Sequence, residues 1–197
     1  MKRHGFTLIE LSIVLIIIGL IIGGVMKGKD LISNAKQKNI YSTWIQAWVV
    51  AVNAYEDRTG GTLGDGVVNG GTQANEDGRF DTINLSSTTG VQNILKSVGL
   101  DAPAVGLNNG GSYGISGKYS TSNSIAILQY LQSHTDGGSK NKLYITGVPT
   151  DVAMAFDRLS DGKLDPVSGF FRRYPDNSAA KWPDPAVTLT VDVTLNL

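Results

Sequence analysis

GFTLIELSIVLIIIGLIIGG, residues 5–24, decides how the chain is read. From Phe6 to Met26 the only charged residue is Glu10. A helix rises about 1.5 Å per residue, so some twenty apolar residues in a row reach across the hydrocarbon core of a bilayer. The run exceeds the roughly 7–15 apolar residues of a secretory signal. The small-residue stretch at its end, Ile22-Gly23-Gly24, fits an A-x-A cleavage site poorly. A buried helix of a soluble domain is the other reading. Leu, Ile and Val on every face argue against it, because a chain of 197 residues cannot surround such a helix.

Glu10 then needs a partner. An ionised carboxylate in hydrocarbon costs about 2.5–3.5 kcal/mol on insertion scales and marks function. No basic residue lies within the run. Cleavage after Gly5 would supply a positive group, the new α-amino group of Phe6. Phe6 and Glu10 share a helix face at i and i+4. The partner could equally be the new amino terminus of a neighbouring copy. On either account Met1-Lys2-Arg3-His4-Gly5 is a leader that is removed.

Lys2-Arg3-His4-Gly5 followed by Phe6-Thr7-Leu8-Ile9-Glu10-Leu11 resembles the leader and cleavage motif of type IV pilins and type II secretion pseudopilins. The resemblance covers about the first thirty residues. It implies that prepilin peptidase cuts after Gly5 and N-methylates Phe6. It implies that Glu10 pairs with a neighbour's amino terminus during assembly. It also implies a single-pass inner-membrane precursor with its head outside the cytoplasm, then a periplasmic or extracellular filament. The partners it implies are the peptidase/N-methyltransferase, an inner-membrane assembly machinery, lipid before assembly, and other copies of the chain. Positive-inside counting disagrees, since Lys27, Lys29, Lys36 and Lys38 beyond the run outnumber Lys2 and Arg3. The leader motif takes precedence, because the peptidase works on the cytoplasmic face.

Beyond Met26 the pattern turns amphipathic. Leu31, Ile32, Ala35, Ile40, Trp44, Ile45, Trp48, Val49, Val52 and Tyr55 recur at helical spacing. Arg58-Thr59-Gly60-Gly61 supplies a stop. The spacing predicts one helix over residues 6–58, with 6–26 in the membrane or filament core and 27–58 as a stalk. Gly19, Gly23, Gly24 and Gly28 each weaken that helix by about 1 kcal/mol relative to alanine. They suit either local melting or close helix packing.

Residues 59–197 form the predicted head. Residues 60–82 are rich in Gly, Asp and Asn and read as loop. A short helix is expected over 91–98. Strands are expected over 125–131, 143–145 and 170–174. A helix capped by Thr150-Asp151 is expected to run to Phe156. Val187, Leu189, Val191, Val193 and Leu195 alternate with polar residues, the pattern of a half-buried antiparallel strand. The expected class is α+β. The long helix packs on a C-terminal antiparallel sheet, the lollipop of the pilin-like family.

Two acidic stretches have the oxygen ligands that calcium takes, Asp157/Asp161/Asp165 and Asp65/Asn75/Asp77/Asp81. Neither has EF-hand spacing, and the first is read in preference as a structural turn. The family resemblance brings calcium back as an alternative, since major pseudopilins use it where pilins use a disulfide. No other cofactor is expected.

There are no cysteines and only two histidines, His4 and His134, so thiol chemistry, disulfides and a His-based triad are excluded. Formal net charge is zero, with no basic stripe for nucleic acid. No nucleophile–base pair, phosphate loop or metal signature appears, so no enzyme is expected. The function expected is that of a structural filament subunit, pilin or pseudopilin. The alternative is a binding domain or enzyme that uses the helix only as an anchor.

Overall fold

The computed structural model of the chain describes residues 6–85, 90–103, 113–120, 123–133, 139–175 and 181–197. The chain divides into two compact units, Met1–Lys38 and Asn39–Leu197. Helix α1 spans Leu8–Ile40 and buries none of its residues. Its leucines, isoleucines and valines are exposed from Leu8 to Val25. So large an apolar surface marks contact with a bilayer or other protein. A Cβ added at Gly19, Gly23, Gly24 or Gly28 would meet no atom within 4 Å, so all four backbones are open to close approach.

The helical run does not break at Ile40. It passes through a π-helical turn, Tyr41–Ile45, into α2, Gln46–Thr59. The cause of the π turn is local. The Ser42 and Thr43 hydroxyls donate to the Asn39 carbonyl at 3.1 and 2.7 Å. Hydroxyls that claim a helix carbonyl disturb the i→i−4 ladder. The Gln46 N–H donates five residues back, to the Tyr41 carbonyl. Gly60 ends α2 in the left-handed region at φ 72°, with its N–H on the Glu56 carbonyl at 2.8 Å. Trp44, Ile45, Trp48, Val52 and Tyr55 are buried, whereas Leu31, Ile32 and Ala35 are exposed, so only the C-terminal part of the apolar stripe read from the sequence is core.

The rest of the second unit is α+β. Strands β1 (Ile83–Asn84), β2 (Tyr113–Ile115), β3 (Asn123–Ser133), β4 (Ser139–Pro149), β5 (Phe171–Tyr174) and β6 (Thr190–Asn196) pair antiparallel throughout. Their order is β1-β3-β4-β6-β5, with β2 also on β3. Ile125, Leu143, Ile145, Phe171, Val193 and Leu195 are buried. Helix α3, Val91–Ser97, buries Val91 and Leu95, and helix α4, Thr150–Asp161, buries Val152 and Phe156. The Phe156 ring lies 5.6 Å from Tyr41 and 6.2 Å from Phe171, which ties α4 to the π turn and to β5.

Four details differ from the sequence reading. Strand β4 runs well beyond residues 143–145, because β3 and β6 pair with it on either side and carry its polar ends. The final strand begins at Thr190, not Val187. Asp184 turns the chain there, its carbonyl accepting from Val187 and Thr188, and leaves Val187 exposed. Thr150 is inside α4 and does not cap it, since its hydroxyl donates to the Thr188 carbonyl at 2.5 Å. Helix α4 also continues past Phe156 to Asp161, where Gly162 stops it at φ 77°.

Residues 60–82 form no strand, but they are not a solvated loop either. Leu63, Asp65, Asn69, Phe80 and Asp81 are buried. The Asp81 carboxylate gathers the segment. Oδ2 accepts from the Thr72, Gln73 and Gly66 N–H groups at 2.7, 2.9 and 3.3 Å, and Oδ1 from the Gln73 amide at 2.7 Å. Asp65 accepts from the Asp77 and Gly78 N–H groups at 3.1 and 2.7 Å. Asn69 bonds the Tyr55 hydroxyl at 2.9 Å and so ties the segment to α2. Gly71 lies at the crowded centre of this knot. A Cβ there would strike the Asp81 carboxylate and stand 2.6 Å from the Gly66 nitrogen and 2.7 Å from the Gly64 oxygen. Gly71→Ala is therefore expected to destabilise the second unit by about 1–3 kcal/mol, the usual cost of overpacking, read as a lower midpoint in urea.

Candidate processing and assembly site

The N-terminal site is built from the first turn of α1. Gly5 and the rest of the leader, residues 1–5, lie outside the described residues. Phe6 is exposed and precedes the helix. Thr7 stands just before Leu8, the first helical residue, and its carbonyl accepts the Leu11 N–H at 3.3 Å. Glu10 folds back on Thr7. Its Oε2 accepts from the Thr7 N–H and from the Thr7 hydroxyl, both at 2.8 Å. The Thr7 Oγ1 in turn accepts the Glu10 N–H at 3.3 Å.

This is a reciprocal capping box, T-x-x-E, which satisfies two helix N-terminal donors at once. It also places a negative charge at the positive end of the helix dipole. Glu10 thus has a partner within its own chain. The sequence carried the signal, Thr7-Leu8-Ile9-Glu10 ahead of an apolar run. Thr7 needs no charge to hold the carboxylate.

The acidic turn after α4 is a separate feature of the second unit. Asp157 is buried, and its Oδ2 accepts from the Asp165 N–H and the Trp182 indole N–H, both at 2.8 Å. Asp161 accepts from the Phe170 and Phe171 N–H groups at 3.1 and 3.0 Å. Asp165 accepts from the Val167 and Ser168 N–H groups, both at 3.1 Å, and from the Ser168 hydroxyl. These carboxylates serve the loop's own donors, which fits the turn reading. Among the described residues no group of three or more His, Asp or Glu is arranged to hold a metal ion. The same holds for the second acidic stretch, where Asp65 and Asp81 serve backbone donors.

Asp157 and Asp165 titrate in opposite senses. Burial pushes the Asp157 carboxyl up. The Asp165 N–H and the Trp182 indole oppose this, and the charges of Asp161 and Asp165 add to it. The Ser168 hydroxyl and the Val167 and Ser168 N–H groups hold Asp165 below the usual carboxylate range. A raised folded value means that Asp157 contributes stability at acid pH and loses it as pH rises through that value. Among the described residues Asp157 Oδ1 is buried without a hydrogen-bond partner, which accounts for the cost of ionising it. Asp157→Asn keeps an acceptor oxygen for both donors and removes the charge. Its thermal midpoint is expected to match or exceed that of the native chain at pH 7, and the difference between the two is expected to move in favour of the native chain as pH falls to 4. Millimolar calcium is expected to shift neither chain.

Helix Leu8–Thr59 is the one described helix long and apolar enough to cross a membrane. With the prepilin motif, it is consistent with an inner-membrane anchor. Residues 1–26 match the family model of the prokaryotic N-terminal methylation motif. No curated protein and no solved structure matches the chain. The motif is the prepilin motif of type IV pilins and pseudopilins, and the similarity covers residues 1–26 of the chain.

Proposed function

We propose that the chain is a structural subunit of a type IV pilus-like filament. The reading is supported chiefly by one juxtaposition. A methylation motif over residues 1–26 leads into a helix whose apolar surface is wholly unburied within the chain. Prepilin peptidase cuts between Gly5 and Phe6 and methylates the new amino group. The mature chain waits in the inner membrane, with residues 6–26 in lipid and residues 59–197 as the head outside the cytoplasm. Assembly moves the apolar helix from lipid into a bundle of identical helices, so its burial against lipid is exchanged for burial against copies. The same contact repeated by a non-closing rotation gives an open helical filament.

Glu10 is the register element. In the bilayer the capping box with Thr7 satisfies its hydrogen bonds but leaves the charge unneutralised. The methylated amino group of a neighbouring Phe6 neutralises it. A copy out of register would leave that charge buried and unpaired, which is costly. The head supplies the outer surface, and its function is mechanical.

The test is processing. Co-expression with a prepilin peptidase is expected to shorten the chain by its five leader residues, and replacing Gly5 by leucine is expected to block the cut. A chain that stays at full length beside an active peptidase would contradict the reading.

A further inference from the structure

The four lysines beyond the apolar run conflict with positive-inside counting, and neither processing nor Glu10 pairing uses them. Lys27, Lys29, Lys36 and Lys38 are all exposed. Lys27 has Asp30 three residues on, a favourable helical spacing. Lys29, Lys36 and Lys38 have no Asp or Glu three or four residues away.

Depth divides them. At about 1.5 Å per residue, Lys36 and Lys38 stand roughly 15 and 18 Å beyond Met26 along the axis, whereas Lys27 and Lys29 stand within about 5 Å. The headgroup layer adds only about 5–8 Å to each side of the hydrocarbon. Lys27 and Lys29 therefore reach lipid headgroups, and Lys36 and Lys38 clear them even with an ordinary helix tilt. Successive helical residues turn by about 100°, which sets Lys36 and Lys38 on nearly opposite faces.

The second unit is the complement. Residues 39–197 carry eleven Lys and Arg against fifteen Asp and Glu, a surplus of four negative charges. Residues 6–38 carry four lysines against Glu10 and Asp30. Glu56 and Asp57 at the end of α2, and Glu76 and Asp77 in the knotted segment, are exposed. The Tyr55–Asn69 hydrogen bond holds the two stretches together. Burial, opposed by the Thr59 hydroxyl and reinforced by the Glu76 charge, pushes the Tyr55 hydroxyl up, which places Glu76 within electrostatic reach of α2. Arg58 is engaged with the Val98 and Gly99 carbonyls at 2.6 and 3.1 Å. That leaves Arg79 as the remaining basic residue between Arg58 and Lys96.

We infer that Lys36 and Lys38 dock against the acidic surface around Glu56, Asp57, Glu76 and Asp77 of flanking copies of the chain, an inference that rests on the filament reading. Such contacts are heterologous, basic stalk to acidic head, so they propagate along a filament and do not close into a dimer. Charge complementarity of this kind sets register and suppresses wrong pairings more than it adds affinity.

The experiment uses full-length chain, processed and assembled in a host with its assembly machinery, as a mixture of light and heavy nitrogen copies. Sheared filaments are treated with an amine-acetylating reagent or with a zero-length carbodiimide. Lys36 and Lys38 are expected to react at least about fivefold more slowly than Lys181 in filaments, and like Lys181 in detergent-solubilised chain. Carbodiimide is expected to join them to the acidic cluster across light–heavy pairs. A K36E/K38E chain is expected to be cleaved and inserted normally but to yield about tenfold fewer filaments, with yield recovered by adding E76K/D77K. Filaments in which Lys36 and Lys38 react as fast as Lys181 would overturn the inference and leave the filament reading standing. Protection seen only in anionic phospholipid vesicles would assign the lysines to lipid and overturn it equally. A processed chain that yields no filaments would overturn both.

Discussion

Glu10→Ala is expected to reduce the yield of sheared filaments by at least about tenfold while leaving cleavage after Gly5 and membrane insertion intact. The insertion half follows from solvation, since removing a carboxylate from an apolar run lowers the cost of the bilayer by a few kcal/mol. The assembly half follows from pairing. Without the carboxylate, a neighbour's methylated amino group enters the helix bundle as an uncompensated charge, and stranding one member of a buried pair costs about 3–5 kcal/mol. Each 1.4 kcal/mol is about a tenfold change in an equilibrium, so the loss falls on every subunit added. Glu10→Gln separates charge from capping. It keeps an acceptor for the Thr7 N–H and hydroxyl, which bond Oε2 at 2.8 Å, and removes the charge. It is expected to fail as alanine does. Filaments from the glutamine chain would show that Glu10 matters as the helix cap and not as the ion-pair partner.

The second large effect is expected at Asp81. Asp81→Ala leaves the N–H groups of Thr72, Gln73 and Gly66 and the side-chain amide of Gln73 without their shared acceptor. Stranded donors cost about 1–3 kcal/mol each when water cannot reach them. Thr72 and Gln73 are exposed enough to be rehydrated in part. The net loss is therefore expected near 2–4 kcal/mol, or roughly 5–15 °C in thermal midpoint for a unit of this size. Asp81 also sets an acid limit. Burial raises its carboxyl, but the Gln73, Thr72 and Gly66 N–H groups and the Gln73 amide outweigh burial and hold it below the usual range. A depressed folded value contributes stability above the unfolded value and loses it as pH falls through the depressed one. The native chain is expected to lose stability steeply below about pH 4, in the range where ordinary carboxyls titrate, and Asp81→Ala to flatten that slope. An unchanged slope would remove Asp81 from the centre of the segment.

The N-terminal half of the fold was legible because its signals are compositional. A membrane-length apolar run and an apolar stripe at helical spacing survive without knowledge of tertiary contacts. The π turn at Tyr41–Ile45 left no trace in that stripe, because it arises when the Ser42 and Thr43 hydroxyls claim one carbonyl. Residues 60–82 are loop, as the sequence indicates, but their burial was not legible. Gly, Asp and Asn in a row look like a solvated loop, yet Asp65 and Asp81 turn inward and collect backbone donors from residues far along the chain. Which carboxylates collect N–H groups is a tertiary property with no sequence period. The same ambiguity explains the two readings of Asp157, Asp161 and Asp165. A run of acidic residues beside glycine specifies oxygen acceptors but not whether a cation or a backbone meets them. At the N-terminal site the motif proposes Gly5, Phe6 and Glu10 for processing and assembly. Thr7 was visible only as half of a capping box.

The most direct measurement is the intact mass and N-terminal sequence of the chain recovered from sheared filaments. The account predicts a chain that begins at Phe6, lacks residues 1–5 and carries one added methyl group on its amino terminus. A chain that begins at Met1, or one absent from the sheared fraction and retained wholly in the membrane, would contradict it.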